Sequence, residues 1–409
     1  MAIGDIIVGI DIGTSKVTSV IAEINNFNQL EIIATAECKC FGMKKSKITD
    51  EDEIASAIGK TISEVEAQGN IKVNSAYVTI PGKYVQIVQN SIVKEAKDRF
   101  AGITSKDINS AMLQIRDIDL PEDKVVIDII KNQFCLDNGR IVDDPVGALS
   151  STVTVTGQVV LADKNYVRQL NNIFRRVDIE IDGIIPNVLA QKSLILDTNE
   201  MNDNVMILDI GAGNTDIGIF NGSTFVYTNT IPLGGDSITR DIAQVFYISE
   251  EEAERLKKQY ALALKSFIDN DTDILLSTYK GDERNKTIKS SDLIEVIEAR
   301  VEEIFALVNK QITNLGVKSN INNVILTGQG ITCISKSDVA GKIVLNIPVK
   351  ISTGRMISTV KPAYRASYAL VRYVSSRPYA KNVSSKIDVK SNENFMKTIL
   401  ERIKEFFYT

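Results

Sequence analysis

Asp11, Gly13, Thr14 and Ser15 interrupt the apolar run IIVGIDIGTSKVTSVIAEI at residues 6–24, and the run then resumes. Asp209, Gly211 and Gly213 do the same in NVMILDIGAGNTDIGIF at 204–220. Each stretch reads as strand, tight turn, strand. Glycines after a strand suit three kinds of anion site, and the element that follows separates them. Dinucleotide folds and P-loops turn into a helix whose N-terminus holds the phosphate. Both turns here lead into strands, which leaves a hairpin tip offering backbone N–H groups and hydroxyls to an anion, with glycine allowing close approach. Asp11 and Asp209 at the strand ends would repel phosphate, so a cation is implied between them, and Mg²⁺ held largely through water fits. Either Asp-Ile-Gly alone reads as an ordinary turn. The pair, half a chain apart, reads as a two-domain phosphate clamp. NNVILTGQGITC at 322–333 is a third strand with a Gly-rich turn, where a nucleotide's adenosine could lie against bare backbone; in isolation it is a loop.

The chain has no histidine, which excludes Ser/His/Asp and Cys/His triads and zinc sites built on His. Chemistry must come from carboxylates, backbone N–H groups, lysines and a metal bound through oxygen. Cys38, Cys40, Cys135 and Cys333 are too few and scattered for a disulfide framework, and they read as packing residues in a reducing compartment. With 409 residues, 44% apolar and 24% charged, two or more globular domains are expected. A net charge of -5 leaves no basic footprint for nucleic acid. No signal peptide and no membrane span are read, so a cytoplasmic location is expected.

The elements that must position these residues follow from pattern. IIVGID, KVTSVIAEI and LEIIATAEC read as a three-stranded meander. A helix follows, with Thr49 and Asp52 as a capping box and Ile54, Ile58, Thr61, Ile62 and Val65 on one face. Residues 84–163 read as a compact β-α-β-β insert. SEEEAERLKKQYALALK opens with a capping box from Ser249 to Glu252, and LIEVIEARVEEIFALV faces a core through Leu293, Ile297, Val301, Ile304 and Val308. After a polar linker at 381–392, Phe395, Met396, Ile399, Leu400, Ile403, Phe406 and Phe407 repeat at steps of three and four, an apolar stripe on a helix over 393–409. Such a stripe is commonly core; its place beyond a linker reads as a helix lying on a membrane surface.

Two phosphate hairpins and a late adenosine turn, in this order, resemble the actin, Hsp70 and sugar-kinase superfamily. GMKKS, AYVTIPGKYV, DDPVGALSS, IPLGGDSITRDIA, DLIEVIEARVEEI and VILTGQG, spread over residues 5–375, resemble the FtsA family of cell-division proteins. The resemblance implies an α/β, actin-like two-domain ATPase fold of duplicated ribonuclease H-like domains, with the insert replacing the usual second subdomain. It implies subdomain 1A from 1–83, 164–203 and 355–380, 1C from 84–163, 2A from 204–230 and 305–354, and 2B from 231–304. By motif, Asp11, Gly13, Thr14, Ser15 and Lys16 would form the first phosphate loop, and Asp209, Gly211, Gly213, Asn214, Thr215 and Asp216 the second. Glu254 and Lys257 would serve ribose and base, and Gly328, Gln329 and Gly330 would complete the adenosine site.

The cofactors implied are ATP and Mg²⁺, with Asp11 and Asp209 on the metal through water. The family's partners are FtsZ, whose acidic tail peptide would meet Arg300 and Lys289 in 2B, other copies of the chain in a filament, inner-membrane lipids and later division proteins, at the cytoplasmic face of the division site. Relatives in the superfamily place a water-orienting Glu before the proline that opens the interdomain helix. Ile185 stands there, before Pro186, so slow hydrolysis is expected, with Asp209 the catalytic candidate. A pilus-assembly actin homologue and a small-molecule kinase of the same superfamily are the alternative readings; the kinase would need an Asp base and a substrate pocket in the first domain.

Overall fold

The computed structural model describes residues 5–376 apart from 26, 28, 97–101, 197–199, 277–286 and 353–359. The linker at 381–392 and the helix expected over 393–409, with Phe395, Met396, Ile399, Leu400, Ile403, Phe406 and Phe407, lie outside the described residues.

Two five-stranded sheets share one plan. In the first, Asp5–Ile12, Lys16–Ile24 and Leu30–Lys39 form the antiparallel meander, and Ser75–Ile80 then Glu180–Pro186 add in parallel beside the first strand. In the second, Asn204–Ile210, Thr215–Asn221 and Thr224–Ile231 form the meander, with Asn323–Thr327 and Val349–Ile351 as the parallel pair. The central strands are covered on both faces, so they are written as nearly unbroken apolar runs rather than alternating ones. One core cluster joins the sheets. Ile7, Val20 and Tyr77 of the first sheet and Val205, Ile207 and Phe220 of the second pack with Leu189 and Leu370. These leucines sit on the helices Asn187–Ile195 and Arg365–Ser375.

The helix Glu51–Gly69 buries Ile54, Ile58, Thr61, Ile62 and Val65, the face the sequence marks. Its cap is one residue later than the expected Thr49/Asp52 box: Asp50 accepts from the Glu53 N–H at 2.9 Å. Thr49 is drawn off because its hydroxyl and its N–H both donate to the Gly42 carbonyl. Ser249 caps the helix Glu250–Tyr260 as expected, but the Glu252 carboxylate pairs with Arg255 instead of reaching back. In the helix Ser290–Asn314, Leu293, Ile297, Val301, Ile304 and Val308 are all buried.

Between Ser75–Ile80 and the helix Lys164–Arg175 the chain builds a separate sheet. Its order is Val85–Glu95, Thr152–Asp163, Lys124–Leu136 and the short Ile141–Val142. The helix Ser105–Ile115 starts with a complete capping box from Thr104 and Asp107 and buries Ile108, Ala111, Met112 and Ile115 against Val153, Val155, Val159 and Phe134. All four cysteines are free thiols. No helix among the described residues is long and apolar enough to cross a membrane.

Candidate functional site

The two hairpin turns are closed alike. The Gly13 N–H donates to Lys16 O, and the Gly211 N–H donates to Asn214 O, each at 2.9 Å. Their tips meet across the halves of the molecule, where the Asn214 amide donates to the Thr14 hydroxyl at 2.9 Å. A side chain at Gly213 would collide with Thr14, so glycine is what permits this approach. The third turn packs on the second: Gly330 N–H donates to Ile210 O at 2.8 Å, and Gly328 has φ +91°, which glycine adopts without strain. A Cβ at either Gly328 or Gly330 would run into the backbone of residues 210–211.

Asp209 and Asp216 face each other across the antiparallel pair, on one side of the sheet. Like charges placed so destabilise a bare sheet. Asp11 supplies a third carboxylate from the first domain, whose equivalent of Asp216 is Thr18, paired with Asp11 in the ladder. Neutral donors hold all three. Thr79 donates to Asp11 Oδ1 at 2.6 Å. Asn187 donates to Asp209 Oδ2 at 2.8 Å and Asp216 Oδ2 at 3.2 Å, and Gln191 to Asp209 Oδ2 at 2.5 Å. Thr230 and the Gly82 N–H donate to Asp216 Oδ1.

Burial raises Asp11 to about 6, against the Thr79 hydrogen bond and helped by the Asp209 charge. It raises Asp216 to about 6 as well, against Thr230 and again helped by Asp209. Asp209 is raised too, by burial, against the Asn187 and Gln191 amides. No ion pair among the described residues involves any of the three. No three Asp, Glu or Cys side chains among those residues are grouped tightly enough to hold a metal directly, so a cation here would keep much of its water.

Glu254 and Lys257 stand beside the same turns. Buried Lys257 donates to Gly235 O at 3.1 Å and Thr239 Oγ1 at 2.8 Å, and pairs with Glu254 at 2.6 Å. Burial pushes the Glu254 carboxyl up, but hydrogen bonds from Lys257 and Thr239 outweigh it and hold it below the usual range. Thr215 is buried in the second hairpin and donates to Leu233 O, Ser15 accepts from the Cys40 N–H, and Gln329 is exposed at the tip of the third turn.

Some expected residues are engaged elsewhere. Lys16 pairs with Glu37 on the neighbouring strand at 2.8 Å. Arg300 is held by Asp241 at 2.6 Å and by Glu303, and Lys289 by Asp273 at 2.8 Å. Ile185 is 3% exposed, in the core cluster that joins the sheets. At that strand–helix junction it is Asn187 and Gln191 that reach the carboxylates.

Thr79, Gly82, Asn187, Gln191, Thr230, Gly234 and Gly235 are site residues that motif reading missed. Thr79 and Gly82 lie in AYVTIPGKYV and the last two in IPLGGDSITRDIA, stretches that carry the family resemblance, while Asn187, Gln191 and Thr230 had no such signal. The Gly-Gly opens the helix Gly235–Phe246 against the second hairpin turn, where Gly235 N–H donates to Gly211 O at 2.9 Å.

The arrangement fits a Mg²⁺ nucleotide. The three carboxylates, Asp216 buried and Asp11 and Asp209 half-buried, form no ion pair among the described residues. Glycines stand at all three turns, and Asn214 Oδ1 is a buried acceptor with no hydrogen-bond partner among those residues. Asp11 and Asp209 would hold the hydrated metal, which when bound neutralises phosphate charge.

Two duplicated sheets with their turns converging on one cleft define an actin-like ATPase fold. The chain superposes on the PilM-PilN type IV pilus biogenesis complex with a TM-score of 0.59 at 14% identity, covering 91% of this chain and 98% of that one. It also superposes on MreB5 of Spiroplasma citri bound to ADP, with a TM-score of 0.54 at 14% identity over 93% of this chain and 99% of that one. A third likeness is the MamK double helical filament, with a TM-score of 0.53 at 11% identity over 91% of this chain and 99% of that one.

The family model "Cell division protein FtsA" matches residues 206–369, and "SHS2 domain inserted in FTSA" matches 82–161. Cell division protein FtsA of Bacillus subtilis is 29% identical over 369 residues, 90% of this chain and 83% of that protein. That of Pseudomonas aeruginosa is 26% identical over 410 residues, 98% of this chain and 97% of that protein. The chain belongs to the FtsA family of cell division proteins.

Proposed function

We propose that this protein is an ATP-binding actin homologue that polymerises on the inner face of the cell membrane, tethers FtsZ filaments there and helps recruit later division proteins. The observation that carries the nucleotide part is the meeting of the turns: three glycine turns come together around carboxylates from both domains that form no ion pair among the described residues. The neighbour MreB5 was solved bound to ADP, which supports the same use of the cleft here. The subdomain division at the boundaries given above goes with this reading. Subdomain 1C, residues 84–163, serves self-association; 2B, residues 231–304, receives the acidic FtsZ tail. Arg300 and Lys289 can meet that tail only by sharing or exchanging their present partners Asp241 and Asp273. The helix at 393–409 holds the chain to lipid.

Turnover is slow on this reading, because Ile185 has no group to orient water and the amides nearby cannot accept its proton. General-base positioning is worth roughly 10²- to 10⁴-fold. ATP then acts mainly as a ligament between the domains. Calorimetry with ATP and Mg²⁺ tests the cleft. Gly213→Asp, which sets a carboxylate against Thr14, and Asp209→Ala, which removes a partner of the cation, should both bind more weakly than the wild type. Wild-type affinity in both variants would move the site elsewhere.

A further inference from the structure

Asn187 and Gln191 sit one turn apart on the helix Asn187–Ile195, which enters from the first domain, yet their amides act on carboxylates of the second. At this i, i+4 spacing the two side chains meet: Gln191 Nε2 also donates to Asn187 Oδ1 at 3.0 Å. That bond fixes the orientation of the Asn187 amide, since its oxygen is taken and its nitrogen is left to face Asp209 and Asp216. Gln191 is buried, so water does not compete for its donors.

The pattern of occupied oxygens is uneven. Asp216 has both oxygens engaged, Oδ1 by Thr230 and Gly82 and Oδ2 by Asn187. Asp209 takes both amides on Oδ2. Its Oδ1 faces Gly328, at the third turn, and receives no hydrogen bond from a described residue. Asp11 takes Thr79 on Oδ1. One oxygen from each domain, Asp11 Oδ2 and Asp209 Oδ1, is thereby left without a donor among the described residues.

The kind of donor matters. A lysine or arginine in place of Asn187 would hold the aspartates by neutralising them, and would stand where a cation is wanted. Amides supply hydrogen bonds without formal charge, so they orient the carboxylates and leave their negative charge for an incoming ion.

We propose that Asn187 and Gln191 are positioning residues for the divalent cation, pinning Asp209 Oδ2 and Asp216 Oδ2 so that Asp209 Oδ1 stays without a donor and available, with Asp11 Oδ2, to a hydrated metal. The assignment rests on the reading of the cleft as a Mg²⁺–ATP site. It gives the strand–helix junction a role in metal capture in place of a role in water activation.

The experiment compares the full-length wild type, Asn187→Ala and Gln191→Met by calorimetry with ATP, once in EDTA and once in saturating Mg²⁺. Gln191→Met keeps the buried volume while removing the donor. Each variant should keep its EDTA affinity within about two-fold and lose about ten-fold of the Mg²⁺ enhancement, the size expected from removing a hydrogen bond to a charged group. An unchanged enhancement in both variants overturns the proposal. So does an equal loss with and without Mg²⁺, which would make the amides structural only. A wild type that binds no ATP under either condition would instead remove the cleft reading beneath it.

Discussion

Asp11 and Asp216 each titrate near 6 because burial disfavours the charged form, the Thr79 and Thr230 hydrogen bonds oppose it, and the Asp209 charge adds to it. A carboxyl whose folded value is raised binds its proton more tightly folded than unfolded. In the ligand-free protein these two groups therefore contribute stability below about pH 4, and that contribution is lost as pH rises through about 6. A divalent cation needs them ionised, so the sign reverses for metal binding. The Mg²⁺ enhancement of ATP affinity should fall about ten-fold between pH 7.5 and 5.5, as two groups near 6 take up protons. Asp216→Asn should flatten that dependence, because one of the protons is then gone. Calorimetry at the two pH values checks both, and an equally steep profile in Asp216→Asn would assign the titration to other groups. Asp11 and Asp209 are legible at this scale because a strand-end aspartate before Ile-Gly is a local pattern. Asn187 is not, since nothing beside it in sequence shows that two aspartates lie within reach.

At the scale of elements, the insert is hydrogen-bonded to the second Asp-Ile-Gly meander. Gln158, 2% exposed on the strand Thr152–Asp163, binds the Phe225 backbone at both ends: its amide donates to the carbonyl at 2.5 Å and its oxygen accepts from the N–H at 3.0 Å. Asn132 accepts from Thr224 at 2.8 Å. At the root of the insert, the Gly82 N–H reaches Asp216 and the Lys83 N–H reaches Thr230 at 3.1 Å. The grip falls on Thr224–Ile231, the strand paired with the one that carries Asp216. Gln158→Leu would bury two unpaired backbone groups, at a cost of about 1–3 kcal/mol each. Urea unfolding should show a loss of at least about 2 kcal/mol on that basis, and ATP affinity should fall with it; a variant as stable as the wild type would show that the grip is idle. Excising the insert by joining Lys83 to Lys164 would remove Gln158 and Asn132 too, so point changes on its outer face are the cleaner probe of self-association. Val93, 64% exposed, and Leu149, 77% exposed, offer such a face. Val93→Glu with Leu149→Glu should abolish filaments on lipid in electron micrographs while ATP binding persists, and unchanged filaments would remove the insert from assembly.

On the proposed reading, attachment to the membrane belongs to the whole molecule, or to many copies of it. Seven apolar side chains between Phe395 and Phe407 could bury enough area for several kcal/mol at about 25 cal/mol per Å². Ordering a segment on binding costs roughly 1 kcal/mol or more per residue, so on that reading one copy should hold on weakly. Lys397, Arg402 and Lys404 are offset by Glu393, Glu401 and Glu405, which limits attraction to anionic lipid. A filament presents many tails at high effective concentration and should bind firmly, coupling polymerisation to attachment. Ile399→Glu with Phe406→Glu should leave the protein in the soluble fraction of a vesicle flotation, with calorimetric ATP affinity unchanged. If that variant floats as well as the wild type, the stripe is packing and the tether lies elsewhere.

What the sequence determined by itself is whatever one stretch of chain can specify. The strand–turn–strand starts, the glycines at their tips, the helix faces at 51–69 and 290–314 and the β-α-β-β insert are all set by spacing and by turns that need glycine. The repeated Asp-Ile-Gly made the duplication readable, and both sheets carry it in the same order. The tertiary structure alone decided which partners those residues meet. Thr79 and Asp11 are 68 positions apart, and Gln158 and Phe225 are 67 apart. It turned Lys16 to Glu37 and Arg300 to Asp241, and it put Asn187 against two carboxylates that repel each other across a ladder. Contacts of that kind depend on how two domains close on each other, and the free energy of an amide on a buried charge has no local signature in the chain.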